Sequence, residues 1–74
     1  MTESQGRARV KALLKSELKK RGVTYKQLAE MLKEYGIKET DKNIANKIAR
    51  GGFSAVFLVQ CLSVVGCRAL SLEA

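Results

Sequence analysis

Apolar residues recur at three- and four-residue steps along most of the chain, which is the spacing of amphipathic α-helices. Four glycines punctuate this pattern, one after each segment: Gly22, Gly36, Gly51 and Gly66. A glycine just beyond a helix takes the left-handed conformation that closes its last turn. The pattern therefore predicts four helices of roughly 10–15 residues, close to the usual length. They span approximately residues 7–21, 24–35, 40–50 and 54–65.

The second and third segments predict a helix, a turn and a second helix. Thr24 and Gln27 have the spacing of a capping box, in which each side chain satisfies a backbone donor of the other residue. In the third segment Ile44 and Ile48 are the main apolar residues, so we expect the protein body to hold this helix by one narrow edge. A helix this polar is predicted to form an exposed binding surface rather than to support the core.

The fourth segment is the most apolar, and we expect it to be the central core helix. It also has more apolar surface than three thin neighbours can cover, which suggests a partner. In the tail that follows Gly66, Leu70 and Leu72 alternate with smaller residues, as in a short strand whose mate is its copy in a second chain.

The expected architecture is a small all-α, four-helix, helix-turn-helix domain with a short extended tail that can pair as a β-strand. Residues 1–6 are polar and predicted to be flexible. Residues 7–66 form the predicted domain, and residues 67–74 form the tail.

Size and charge narrow the classes of function. At 74 residues the chain is one domain, and its fourteen Lys/Arg against seven Asp/Glu give a net charge of +7. Such an excess is typical of proteins with a polyanionic partner, usually nucleic acid and less often an anionic membrane surface. The alternative is a charge that only keeps a small domain in solution. The N-terminus has no apolar signal core and no apolar run could span a membrane, so we expect a cytoplasmic, nucleoid-associated protein.

The sequence contains little that indicates catalysis or metal binding. There is no His, the acidic residues do not converge, and no Gly-rich phosphate loop is present. Cys61 and Cys67 are too few for a zinc site or a disulfide framework, and are expected to be small buried hydrophobes. We therefore expect no enzyme, metal, cofactor or small-molecule ligand.

The polar face of the third helix carries the chemistry of DNA recognition. Its side chains follow three- and four-residue steps opposite the two isoleucines: Asn43, Asn46, Lys47 and Arg50. Asn can pair in two places with an adenine edge, while Arg and Lys favour guanine edges or phosphates. The alternative is an ordinary solvated face. A capped helix, a turn and a polar helix in a basic protein favour DNA.

Three motifs in order carry a resemblance to known domains: TYKQLAEML opening the second helix, KIARG closing the third, and FSAVFLVQCLSVVG in the fourth. Residues 23–66 thereby resemble the lambda-repressor-like, XRE-type helix-turn-helix domain. The chain is still more similar to a family of short uncharacterised bacterial domains with ELKKRGVTYKQLAE, NIANKIARGGFS and FLVQCLSVVGC segments.

The resemblance implies DNA binding through the third helix and frequent homodimers. By position it places Tyr25 and Gln27 on backbone phosphates, and it places four residues toward the groove: Lys42, Asn43, Asn46 and Lys47. Lys26 and Arg50 complete the predicted contact set. The turn over residues 36–40 is about two residues longer than the usual family turn, and the fifth helix is replaced by the tail.

Two hypotheses of different classes follow. The first is a homodimeric transcriptional regulator that binds double-stranded DNA and reads the major groove with residues 40–50. The second is a helical protein-interaction module that keeps the fold without reading DNA. The longer turn and the apolar excess of the fourth helix favour the second.

Overall fold

The computed structural model describes residues 1–72, and this part of the chain forms four α-helices. They are α1 (Glu3–Lys20), α2 (Tyr25–Glu34), α3 (Asp41–Arg50) and α4 (Ala55–Val64). Residues 1–72 contain no strand, so the predicted all-α, four-helix fold is confirmed. Residues 67–72 follow α4 without regular secondary structure, while Glu73 and Ala74 lie outside the described residues. Strand pairing of the tail across two chains therefore stays a prediction.

Every helix begins after a hydroxyl residue that caps it. The side chains of these N-cap residues accept a hydrogen bond from the backbone N–H three positions on: Thr2, Thr24, Thr40 and Ser54. The predicted capping box of α2 is present, with the Thr24 N–H donating to Gln27 Oε1 over 2.9 Å and the Gln27 N–H donating to Thr24 Oγ1 over 3.1 Å. These bonds satisfy donors that a helix start would otherwise leave unpaired.

The first helix starts at Glu3, so the predicted start near Arg7 is four residues late. Thr2 and Gln5 repeat the capping-box spacing of α2, and both reciprocal hydrogen bonds form, over 2.8 and 3.1 Å. Glu3 adds a negative charge to the first turn, where the helix dipole favours it. Residues 3–6 are therefore helical, and the flexibility predicted for residues 1–6 stays a prediction.

The core takes two side chains from each helix, spaced four residues apart so that both lie on one stripe. These eight buried residues are Leu14, Leu18, Leu28, Leu32, Ile44, Ile48, Phe57 and Cys61. Helices α1 and α2 each pack against both α3 and α4. The core is thus shared evenly rather than built around one element.

The prediction that the fourth helix is the central core helix is wrong. Helix α4 is not the central core helix, because it buries only Phe57 and Cys61 and leaves Val56 and Val59 exposed. Helix α3 does bury one narrow edge, as expected, but Ile44 and Ile48 are completely enclosed between α1 and α2. The apolar content of a helix limits how many of its side chains can be buried. The neighbouring helices decide which of those side chains are buried.

The end of α3 lies directly against the start of α1. All four punctuating glycines have the predicted positive φ, and Gly51 is also buried. A Cβ atom built on Gly51 would lie 2.6 Å from the carbonyl oxygen of Arg7, which is far inside contact distance. The Nζ of Lys11 donates to the carbonyl of Ala49 over 3.3 Å at the same junction. The close approach fixes the exit of α3 relative to α1.

None of the helices within residues 1–72 combines the length and the apolar content needed to cross a membrane.

Candidate nucleic-acid interface

The outward side of α3 carries the polar residues that its sequence predicts. Five members of the predicted contact set are exposed on this helix: Lys42, Asn43, Asn46, Lys47 and Arg50. Asn46 and Arg50, four residues apart, lie opposite the buried pair Ile44 and Ile48. The helix therefore presents amides and cations on a backbone that its other side holds firmly.

Lys47 is tied into the protein more closely than its neighbours. Its ammonium group pairs with the carboxylate of Glu39 in the preceding turn and lies 4.7 Å from the ring centroid of Phe57 on α4. The Lys47 side chain is 44% exposed, whereas that of Glu39 is only 8% exposed. A nearly buried carboxylate needs such a partner. The charge of Lys47 is therefore compensated, and its predicted groove contact requires release from Glu39.

The long turn between α2 and α3 is held at several points. The Ile37 N–H donates to the carbonyl of Leu32 over 3.0 Å, and the Ile37 side chain packs against the core. Glu39 pairs with Lys47, and Thr40 accepts from the Asn43 N–H over 3.0 Å. Ile37, Glu39 and Thr40 of the turn thus anchor α3, a role that the sequence pattern did not indicate for Glu39.

The carboxylate of Glu39 also influences the buried thiol of Cys61. Burial raises the pKa of Cys61 to about 12, and the negative charge of Glu39 adds to the rise. Both cysteines are free, with Cys61 buried and Cys67 half-buried. The predicted role of Cys61 as a small buried hydrophobe is confirmed.

The predicted contact residues of α2 divide between two places. Tyr25 is half-buried and lines a cleft with Lys15 and Lys19 of α1. Lys26 is exposed and lines a groove beside Asp41 at the start of α3. Gln27 is exposed, although its amide oxygen is used in the capping box. The structure therefore places Lys26 beside the α3 surface and places Tyr25 toward α1.

A cationic cleft of about 380 Å³ lies where α3 ends and α4 begins. Arg7, Lys47 and Arg50 line it together with Phe53 and the capping residue Ser54. The partial positive charge at the N-terminus of α4 adds to the attraction of Arg7 and Arg50 for an anion, whereas the charge of Lys47 is compensated by Glu39. We call this feature the Arg7–Arg50 cleft.

Arg7 was absent from the predicted contact set, although the sequence contained a signal for it. It lies seven residues before the buried Leu14, which is two helical turns along the same stripe. That spacing points Arg7 toward α3 once α1 extends beyond it. The side chain also pairs with Glu3 over 3.7 Å, but both groups are well exposed and the pair is weak.

The basic end of α1 is partly compensated. Lys20 and Arg21 both pair with the carboxylate of Glu17, which is only 8% exposed. The hydrogen bond from Arg21 in particular holds the pKa of Glu17 below its usual value. Lys19 is exposed beside the Tyr25 cleft, so it is the member of this cluster best placed to meet a phosphate.

Residues 1–72 contain no cluster of three or more His, Cys, Asp or Glu side chains that could hold a metal ion.

Comparison with known proteins identifies one family. No curated protein and no solved structure shows significant similarity to the chain. The profile of a family described as a domain of unknown function (DUF6471) matches residues 7–70. This match agrees with the expected short uncharacterised domain and gives no support for an XRE-type helix-turn-helix domain. Because it covers most of the sequence, the chain belongs to the DUF6471 family.

Proposed function

We propose that this protein binds double-stranded DNA, reads the major groove with the exposed side of α3, and acts as a homodimeric transcriptional regulator. The observation that carries the proposal is the division of α3 into two sides. Ile44 and Ile48 are completely buried, while Asn46 and Arg50 are exposed opposite them. A helix held rigidly by one edge and offering amides and cations on the other has the properties of a recognition helix.

The side chains of α3 suit different parts of a DNA duplex. Asn43 and Asn46 can each donate to and accept from an adenine edge, which is the contact that distinguishes base pairs. Arg50 suits a guanine edge or a phosphate, and its place in the Arg7–Arg50 cleft favours the phosphate. Lys42 lies at the start of the helix and is exposed. Base reading is therefore assigned mainly to the two asparagines.

The remaining cations supply contacts that do not depend on sequence. Lys19 is exposed near the end of α1, Lys26 is exposed near the start of α2, and Arg7 lies in the cleft beside Arg50. A net charge of +7 attracts DNA before any specific contact forms. The resemblance of residues 23–66 to lambda-repressor-like domains supports the same interpretation.

Binding of duplex DNA across a salt series tests this proposal. Each phosphate that the protein neutralises contributes about −0.9 to the slope of log affinity against log salt, so several contacts give a steep negative slope. Lys19→Ala is expected to weaken binding to all sequences alike and to reduce the slope by about 0.9. A wild-type slope near zero would contradict DNA binding.

The second candidate is a protein-interaction module without DNA binding. The exposed apolar residues Val56 and Val59 on α4 favour it, as does the pairing of Lys47 with Glu39. Recovery of one stoichiometric protein partner, together with absence of DNA binding at low salt, would support this alternative over the first.

A further inference from the structure

One side of α4 is exposed, largely apolar and uncharged. Val56 and Val59 are 66% and 60% exposed. Ala55 and Ser63 are exposed beside them, and Leu62 is half-buried at the edge. These five residues lie opposite the buried pair of α4 and follow helical steps, so they form one continuous surface, which we call the α4 outer face.

The absence of charge on this face contrasts with the rest of the chain. Residues 51–67 contain no Lys, Arg, Asp or Glu, although the chain has fourteen Lys/Arg and seven Asp/Glu elsewhere. A nucleic acid or an acidic protein would find no cations on the α4 outer face. The partner that fits it is therefore another uncharged, apolar helix surface.

We propose that the α4 outer face is the surface through which two copies of this chain associate, with their α4 helices side by side about a two-fold axis. Around such an axis a surface meets itself, so apolar side chains face apolar side chains without any further match. Helices α1, α2 and α3 all carry exposed lysines, and contact between copies through them is opposed by repulsion. The small residues Ala55 and Ser63 allow the two helices to approach closely.

The proposal extends the homodimer part of the proposed function and does not depend on DNA binding. It places the contact between copies on α4, whereas the sequence alone also suggested the tail. A ten-residue helix is about 15 Å long. The contact is thus smaller than the roughly 800 Å² per partner of a standard interface, and the association is expected to be weak. Binding of both copies to one DNA molecule would strengthen it by raising their effective concentration.

Charge substitutions at Val59 test the proposal without DNA. Sedimentation equilibrium from micromolar to millimolar concentration is expected to show that the wild-type chain dimerises. Val59→Glu and Val59→Lys each place like charges across the two-fold axis, so each alone is expected to be monomeric. An equimolar mixture of the two variants pairs opposite charges and is expected to dimerise again. Tyr35→Glu is the matched control, because Tyr35 is 72% exposed near the end of α2 and its replacement adds the same charge.

Each outcome of the sedimentation experiment either supports or contradicts the α4 contact. Circular dichroism verifies that the Val59 variants stay folded, as the exposure of Val59 predicts. A wild-type chain that remains monomeric throughout, or a Val59→Glu variant that associates like wild type, overturns the proposal. A mixture that fails to dimerise excludes a two-fold contact at Val59. DNA binding by a monomeric wild-type chain would leave the DNA-binding part of the proposed function standing while this inference fails.

Discussion

Glu39 links the turn to α3 and, through Lys47, to α4. Its side chain is nearly buried, and its carboxylate pairs with Lys47, whose ammonium also lies over the ring of Phe57. A buried charge without a partner is costly, so the pair constrains the path of the turn as well as the position of Lys47. The turn between α2 and α3 is therefore held in place by this pair.

Replacing Glu39 with Gln is expected to have two effects. The free energy of unfolding falls by roughly 1–2 kcal/mol, because Lys47 loses its partner but can reach solvent. Lys47 then becomes available to DNA phosphates, so the slope of log affinity against log salt becomes more negative by up to about 0.9. Urea unfolding and the salt series measure the two effects. The control is Glu30→Gln, which removes an exposed carboxylate from α2. Unchanged stability in Glu39→Gln would show that the pair does not hold the turn.

Local features of single residues were predictable from the sequence, and contacts across the fold were not. The capping box at Thr24 follows from spacing over three residues and the cap at Thr40 follows from residue type, and both caps are present. The pair between Glu39 and Lys47 depends on how the turn folds back along α3, which spacing does not determine. The position of Arg7 was predictable in part. The sequence shows that Arg7 lies on the buried stripe of α1, but it does not show that Arg7 contacts Gly51.

At the scale of elements, the positions of the helices and the burial of their side chains are determined by different features. Periodic apolar positions and caps set where the helices lie, so four helices could be predicted, with an error only at the start of α1. Each helix then buries the two residues that its neighbours cover. The apolar excess of α4 consequently remains exposed, and the polar helix α3 is held firmly between α1 and α2.

The junction between α3 and α1 allows a matched comparison of two glycines. Gly36 has a φ of 77° with no atom within 4 Å of an added Cβ, whereas at Gly51, with a φ of 67°, that Cβ meets the Arg7 carbonyl at 2.6 Å. Gly36→Ala is therefore expected to cost only the left-handed conformation, about 1 kcal/mol. Gly51→Ala also forces α1 and α3 apart and is expected to cost at least about twice as much. Urea unfolding of the two variants measures the difference, and equal losses would contradict close packing of α1 on Gly51.

At the scale of the whole molecule, charge is distributed by face. The α4 outer face is uncharged, whereas α3 and the Arg7–Arg50 cleft carry exposed cations. This separation agrees with the two proposals, which place a second copy on one surface and a polyanion on another. The net charge of +7 was readable from the sequence, but the placement of its cations required the fold.

The most direct test of the central claim, that α3 reads DNA, is selection of bound sequences from a random duplex library with the wild-type chain and with Asn46→Ala. The wild-type chain is expected to enrich a defined motif with two related half-sites. Asn46→Ala is expected to lose preference at one position in each half-site while still binding DNA, at a cost of about 1–3 kcal/mol in discrimination. Ser16→Ala, which removes an exposed hydroxyl from α1, is expected to keep the wild-type motif. A wild-type pool no more ordered than the starting library, or a motif that Asn46→Ala leaves unchanged, would contradict the assignment of α3 as the reading helix.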